Sequence, residues 1–448
     1  MGSLKKKLTK LMQCTGMKTG DLVIMAAVLL LAIYVLVLTL SVRYVGRSID
    51  PLPQATAAVP EDKGAADPAQ SAELTAETET AEEETTEATE EPVVSGDPVV
   101  EKVLADMTLE EKIYQLFIVS PEELVDNAVP CVTESGNMTK AALQSKPVGG
   151  IIYFAQNLQS RQQTTDMITN AQYYATDSHG IGLWIAVDEE GGKVARVADT
   201  LGTTAYSPMA TYGKQGDTAQ VREIGADIAS DIAEYGFNLD FAPVADVNLN
   251  SGNELGDRIF SDDPAVVSEM TAAMVEGMQQ SGKVSATLKH FPGLGAEGGN
   301  THYDKTARID RTKEQLEAEE FTAFKGGIEA GADFVMVGHQ IMSCAGDDLP
   351  SDLSAVAVNE WLRGDLGFQG IVVTDSQSMN TISGTYSAGE AAKKSILAGV
   401  DIVLIPKDLD DAYQAVYDAV KGGEIPESRI DESLRRILSA KAKHGLIG

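Results

Sequence analysis

From Asp97 to its end the chain alternates short apolar runs with longer helical stretches, and that rhythm leaves few folds open. Eight runs carry it: Tyr114–Val119, Gly150–Phe154, Leu183–Val187, Leu239–Val244, Ser285–Leu288, Phe334–Val337, Ile371–Thr374 and Asp401–Ile405. Each has the length of a strand and ends in polar or glycine-rich residues. Between most of them lie Ala-, Glu- and Lys-rich stretches of helical character, namely Thr218–Tyr235, Ala265–Ser281, Lys313–Ala330 and Gly389–Ala398. Asp408–Gly422 and Asp431–Lys443 predict the last two helices. Met107–Leu116 opens the region as an amphipathic helix, with Thr108 as N-cap and Glu111 completing a capping box. Strands alternating with helices in this number predict an α/β fold, a (β/α)8 TIM-type barrel over residues 99–448. A doubly wound open sheet is the competing arrangement.

The first 98 residues follow other rules. Leu22–Val42 is an uncharged apolar run of about twenty residues, enough to cross a ~30 Å hydrocarbon core as a helix. Lys5, Lys6, Lys7, Lys10 and Lys18 precede it, which places the N-terminus in the cytoplasm and the bulk of the chain outside. A cleaved signal peptide is the alternative, but no A-x-A site follows the run directly. Residues 43–98 are rich in Glu, Thr, Ala and Pro, and Glu73–Glu91 has almost no large apolar side chain. Such a segment cannot offset its ordering entropy and is expected to be a disordered acidic linker. The chain thus divides into a basic cytoplasmic segment (1–21), a single-pass transmembrane anchor (22–42), the linker (43–98) and an extracellular barrel (99–448).

Charge excludes one class of partner. With 67 Asp+Glu against 35 Lys+Arg the formal net charge is −32, which argues against nucleic acid. Cys14, Cys131 and Cys344 have no Cys-x-x-Cys spacing, so neither a disulfide framework nor a thiolate zinc site is expected.

In a barrel, the chemistry gathers at the C-terminal ends of the strands. Five runs end there in chemically capable residues: Asp188-Glu189-Glu190, Asp246, Lys289-His290, His339, and Asp375-Ser376. His290 and His302 lie near one another in sequence, on a loop rich in glycine (Gly293, Gly295, Gly298, Gly299). His339 reads equally as a core or a supporting residue, while His179 and His444 read as surface positions. Lys289, Arg196 and Arg258 share the neighbourhood, and cations there argue against a buried divalent metal; no metal site is expected. There is no phosphate loop and no G-x-S-x-G elbow. What remains is carboxylate chemistry with a proton donor, which suits glycoside cleavage. Asp375 would attack an anomeric carbon, His302 would protonate the leaving oxygen, and Asp188, Arg196, Arg258, Lys289 and His290 would hold the sugar.

These residues also carry a resemblance. Lys289-His290-Phe291-Pro292-Gly293-Leu294-Gly295 followed by Asn300-Thr301-His302 resembles the signature of glycoside hydrolase family 3, in its single-domain β-N-acetylhexosaminidase branch. Val187-Asp188-Glu189-Glu190-Gly191-Gly192-Lys193-Val194-Ala195-Arg196, Phe241-Ala242-Pro243-Val244-Ala245-Asp246, Gly256-Asp257-Arg258 and Val373-Thr374-Asp375-Ser376 are similar to other motifs of that family. The resemblance implies a retaining mechanism through a covalent intermediate on Asp375, a histidine acid/base at His302, no cofactor, and a β-linked amino-sugar glycan as substrate. Beyond a membrane anchor, peptidoglycan or its fragments are the expected source of that sugar. The branch has an aspartate where this chain has Asn300; Asn can orient the imidazole but lends it no negative charge. Lys193 stands where an arginine is usual. Alternatives within the family are a β-glucosidase or a phosphorylase; outside catalysis the alternative is an impaired, membrane-anchored glycan-binding protein.

Overall fold

The computed structural model describes residues 96–296 and 307–448. The expected anchor, most of the expected linker, and both Asn300 and His302 lie outside the described residues. Among the described residues no helix is long and apolar enough to cross a membrane.

The eight runs form eight strands of one parallel sheet. They are β1 (Phe117–Val119), β2 (Gly150–Ile152), β3 (Trp184–Val187), β4 (Leu239–Asp240), β5 (Ser285–Phe291), β6 (Phe334–Val337), β7 (Ile371–Thr374) and β8 (Val403–Leu404). Neighbours in sequence are neighbours in space, with registers such as Ile151↔Ile185 for β2–β3 and Val335↔Val372 for β6–β7. Strand β8 returns to β1 through Phe117↔Val403. It also reaches β7 through the bridge Val373↔Ile402, where the Ile402 N–H donates to the Val372 carbonyl at 3.0 Å and the Thr374 N–H to the Ile402 carbonyl at 3.0 Å. The sheet therefore closes, and the open-sheet alternative falls away.

Local sequence explains the helices around it. Asp217 accepts from the Gln220 N–H to start Thr218–Ala233, and Asp263 accepts from the Ala265 N–H to start Pro264–Gln279, with proline where its missing N–H costs nothing. The expected capping box is present: Thr108 Oγ1 accepts from the Glu111 N–H at 3.2 Å and Glu111 Oε2 from the Thr108 N–H at 2.8 Å. Several expected boundaries move. Tyr114 closes the helix Leu109–Tyr114, so β1 starts only at Phe117. The helix expected over Lys313–Ala330 breaks at Glu319 (φ −117°, ψ −74°) into Lys313–Ala318 and Glu320–Glu329. Strand β5 runs on to Phe291, because Lys289 bridges to Val244 and Phe291 pairs with Val337.

The end of the last helix, Glu427–Lys443, meets the bases of the first three strands. Lys441 is fully buried, and its Nζ donates to Gln115 Oε1 (2.7 Å), the Gly149 carbonyl (2.9 Å) and the Gly182 carbonyl (2.7 Å). Burial pushes its ammonium down to about 7. His444 is not a surface residue: its ring meets buried Trp184 edge to face at 5.2 Å, and its Nε2 lies 2.8 Å from Ser285 Oγ. His179 is likewise partly buried, with Nδ1 3.1 Å from Glu111 Oε1. Cys131 and Cys344 are both free thiols.

Candidate active site

At the C-terminal ends of the strands a cavity of about 300 Å³ opens, with Asp188, Arg196, Arg258, Lys289, His290 and Asp375 among its lining. Six of the eight site residues expected from sequence therefore meet in one place; Asn300 and His302 are the two outside the described residues. Volume of that order suits one small polar ring.

Asp375 is the first residue after β7. Its N–H donates to the Val337 carbonyl at 2.8 Å, which ties it to β6, and its Oδ1 accepts from the Ser376 N–H at 2.7 Å. Burial alone would raise its pKa. The charges of His339 and His290, the Ser376 N–H and Lys289 outweigh that and hold the carboxyl below its ordinary value. Asp375 is thus an anion facing the cavity, the protonation state a nucleophile needs.

His339 is the main source of that effect. It is buried, with Nδ1 3.1 Å from Asp352 Oδ1 and Nε2 2.9 Å from the Ser376 carbonyl. Burial would lower its pKa, but the Asp352 carboxylate, then Asp375 and the Ser376 carbonyl, raise it to about 9. At neutral pH it is an imidazolium whose Nε2–H donates to the Ser376 carbonyl while Nδ1 is ion-paired with Asp352, and its charge supports the nucleophile.

Opposite Asp375 lies a charged cluster on β3–β5. Lys289 Nζ is 2.8 Å from Asp188 Oδ1 and 2.6 Å from Glu190 Oε1. Arg258 grips Glu190 with two parallel bonds of 2.7 Å. Lys289 therefore pairs with Asp188 and Glu190, not with Asp375. Burial would lower the lysine's pKa, yet Asp188 and Glu190 raise it. Glu190 would be raised by burial, but the charges of Lys289 and Arg258 pull it down to about 2. Arg196 opens the helix Arg196–Leu201 and lines the same cavity.

A short antiparallel ribbon, Glu189–Gly191 with Val194–Ala195, sets this cluster. Its turn uses Gly191 (φ +82°) and Gly192 (φ +61°), and a Cβ on Gly192 would come within 2.8 Å of Pro208 Cα. Alternation along the ribbon sends Asp188 and Glu190 to the cavity and Glu189 away from it. Glu189 accepts from the Val197 and Ala198 N–H groups (2.6 and 3.0 Å), and burial pushes its carboxyl up to about 7.

His290 corrects its sequence reading. It is not on a glycine-rich loop but inside β5, 6 % exposed. Asp246 holds it: Oδ2 accepts from the His290 N–H (3.0 Å) and lies 2.8 Å from Nδ1, while Oδ1 accepts from the Leu294 N–H. Both Lys289 and His290 line the cavity, and the peptide between them is cis. The residues sequence reasoning left without a role are Glu190, Asp246 and Asp352. Period-two spacing from Asp188 was a signal for Glu190; nothing local marks Asp352 as the partner of His339. Among the described residues no group of three or more His, Cys, Asp or Glu side chains is arranged to hold a metal ion.

A carboxylate kept ionised at the top of a closed barrel, across a ring-sized cavity from Lys, Arg and His donors, defines a barrel enzyme that acts on a small polyhydroxylated ring. Comparison narrows the class. Residues 108–440 match the family described as "Glycosyl hydrolase family 3 N terminal domain". A β-hexosaminidase from Xanthomonas oryzae pv. oryzae (strain MAFF 311018) is 36% identical over 294 residues, covering 63% of this chain and 84% of that protein. One from Stenotrophomonas maltophilia (strain K279a) is 37% identical over 284 residues, covering 61% and 81%. Among solved structures, a glycoside hydrolase family 3 β-N-acetylglucosaminidase from Paenibacillus sp. str. FPU-7 superposes with a TM-score of 0.70 at 34% identity, over 76% of this chain and 63% of that one. The chain belongs to glycoside hydrolase family 3 and is a glycoside hydrolase.

Proposed function

We propose that this enzyme is a retaining, exo-acting β-N-acetylglucosaminidase that releases terminal β-linked N-acetylglucosamine, held at the outer face of the cell membrane by its apolar segment 22–42 and working on peptidoglycan or its fragments. The observation that carries the reading is Asp375, kept anionic at the end of β7 and facing the cavity. In the first step an Asp375 carboxylate oxygen bonds to C1 of the sugar as the C1–O bond breaks, and His302 gives its proton to the departing oxygen. In the second, His302 takes a proton from water, whose oxygen bonds to C1 and frees Asp375. Lys289, Arg258, Arg196 and His290 are donors, and Asp188 an acceptor, for ring hydroxyls. The names of the relatives support the amino sugar. The expected anchor and linker support the extracellular placement.

The test is release of 4-nitrophenol from 4-nitrophenyl N-acetyl-β-D-glucosaminide, and the same with Asp375→Ala. We expect turnover by the natural chain and a loss of at least ~10³-fold in the variant. If neither that compound nor muropeptides are cleaved between about pH 5 and 8, a range set by an imidazole acid/base, the hydrolytic reading fails. Asn300 favours a second reading, a protein that holds glycan and turns it over poorly. Binding without turnover would select it.

A further inference from the structure

The cavity has a second face that the mechanism does not use. On one side of Asp375 stand the charged groups of β3–β5; on the other stand Leu404, the last residue of β8, and Ile405 just past it, with Ile152 and Phe154 from the end of β2. One residue of this apolar face has an unusual backbone. Ile405 has φ +43°. The left-handed region is disfavoured for any β-branched residue, and Ile405 also precedes Pro406, a position that steers the chain towards extended conformations. Glycine or asparagine would occupy the position with less strain. The backbone is pinned in place from both sides. The Ile405 N–H donates to the Ile118 carbonyl on β1 at 2.8 Å, and the Leu404 carbonyl accepts from the Gln377 N–H, two residues past Asp375, at 3.0 Å. The side chain is only partly covered, packed on the barrel core while lining the cavity. Strain of this kind persists where the surrounding structure enforces it, and it gathers at ligand sites.

We propose that Ile405 is a specificity-determining residue: it places an apolar wall beside the nucleophile that selects sugars bearing an acetamido group at C2 over sugars with a hydroxyl there. The inference rests on the reading of Asp375 as the group that meets C1. The proposal seats C1 at Asp375 and the hydroxyls of the far side of the ring at Lys289, Arg258 and Asp188, and turns the substituent at C2, one bond from C1, against this wall. A hydroxyl turned against isoleucine loses its water and gains no partner. An acetamido methyl turned against it is removed from water and packs.

The test compares binding, so that it does not depend on turnover. Dissociation constants for N-acetylglucosamine and for glucose are measured by calorimetry on the full chain, on Ile405→Gly and on Ile405→Val, together with the thermal midpoint of each. The natural chain should prefer N-acetylglucosamine. Ile405→Gly should lower that preference by about tenfold, at the low end of what a lost apolar contact costs in such a pocket, with a single cooperative thermal transition showing that the variant folds. Ile405→Val should keep the preference. Equal affinities for the two sugars in the natural chain, an unchanged ratio in Ile405→Gly, or weakening of both sugars alike overturns the proposal. A natural chain that binds N-acetylglucosamine selectively but cleaves no glycoside leaves the wall standing and removes the hydrolytic reading alone.

Discussion

Glu190→Gln should cost this enzyme several kcal/mol at neutral pH and much less in acid. Glu190 is 3 % exposed and accepts from Lys289 at 2.6 Å and from Arg258 through two bonds of 2.7 Å. Burial works against its charge, and the two cations still bring its pKa from 4.5 to about 2. At about 1.4 kcal/mol per pH unit, that drop is worth roughly 3 kcal/mol of stability. Removing one partner of a buried ion cluster gives a similar figure independently, about 3–5 kcal/mol. The folded pKa lies below the unfolded one, so the contribution is present above about pH 4.5 and is lost as pH falls towards 2. By pH 3 roughly 1.4 kcal/mol of it should remain. Urea unfolding of the natural chain and the variant at pH 7, 5 and 3 measures the difference directly, and other titrating groups cancel in the comparison. A difference under about 1 kcal/mol at pH 7, well below the buried-pair range, would refute the argument. So would a difference that does not shrink with acid, because the charge on Glu190 would then not be its source.

Two other substitutions test other parts of the reading. Asn300→Asp supplies the charge that the family's pattern places behind His302; it should raise turnover by roughly tenfold and move the alkaline limb of the pH profile upward, as an anion favours the imidazolium. No change in either would mean that His302 is not the acid. Glu123 is buried in the helix Pro121–Leu124 that follows β1, and burial, against a contact with Ser120, pushes its carboxyl up to about 8. A raised carboxyl pKa costs the folded state increasingly above pH 4.5, so Glu123→Gln should be more stable by up to about 3 kcal/mol at pH 7, with no advantage at pH 4. Thermal unfolding at the two pH values decides it.

The barrel was legible because each of its parallel strands is covered on both sides and so reads as a continuous apolar run. Reading failed where long-range partners override local character. Lys289 and His290 look like the end of a strand, since a charge and an imidazole interrupt the apolar run. They continue it because Asp188, Glu190 and Asp246, from other strands, satisfy them in place. His444 looked exposed from its polar surroundings, and only the fold brings Trp184 over its ring. Closure was expected only from the number of strands: the pairing of β8 with β1 joins the two ends of the barrel and leaves no trace in either segment alone. The site was more legible than the fold's details. Motif and strand-end position picked Asp375, Asp188, Arg196, Arg258, Lys289 and His290, and all six line one cavity. Asp246 was marked only by its place after β4, and Asp352 acts through His339, which follows a different element, so no local spacing announces its role.

The lysine beneath the barrel bears on the order of assembly. Its three acceptors lie 326, 292 and 259 residues upstream, just ahead of the first three strands. During synthesis those strands leave the ribosome long before the group that joins their bases exists. Contacts of such long sequence separation form late and slow folding. The early half of the chain must therefore wait, unlatched, for one of its last side chains before the ring can lock.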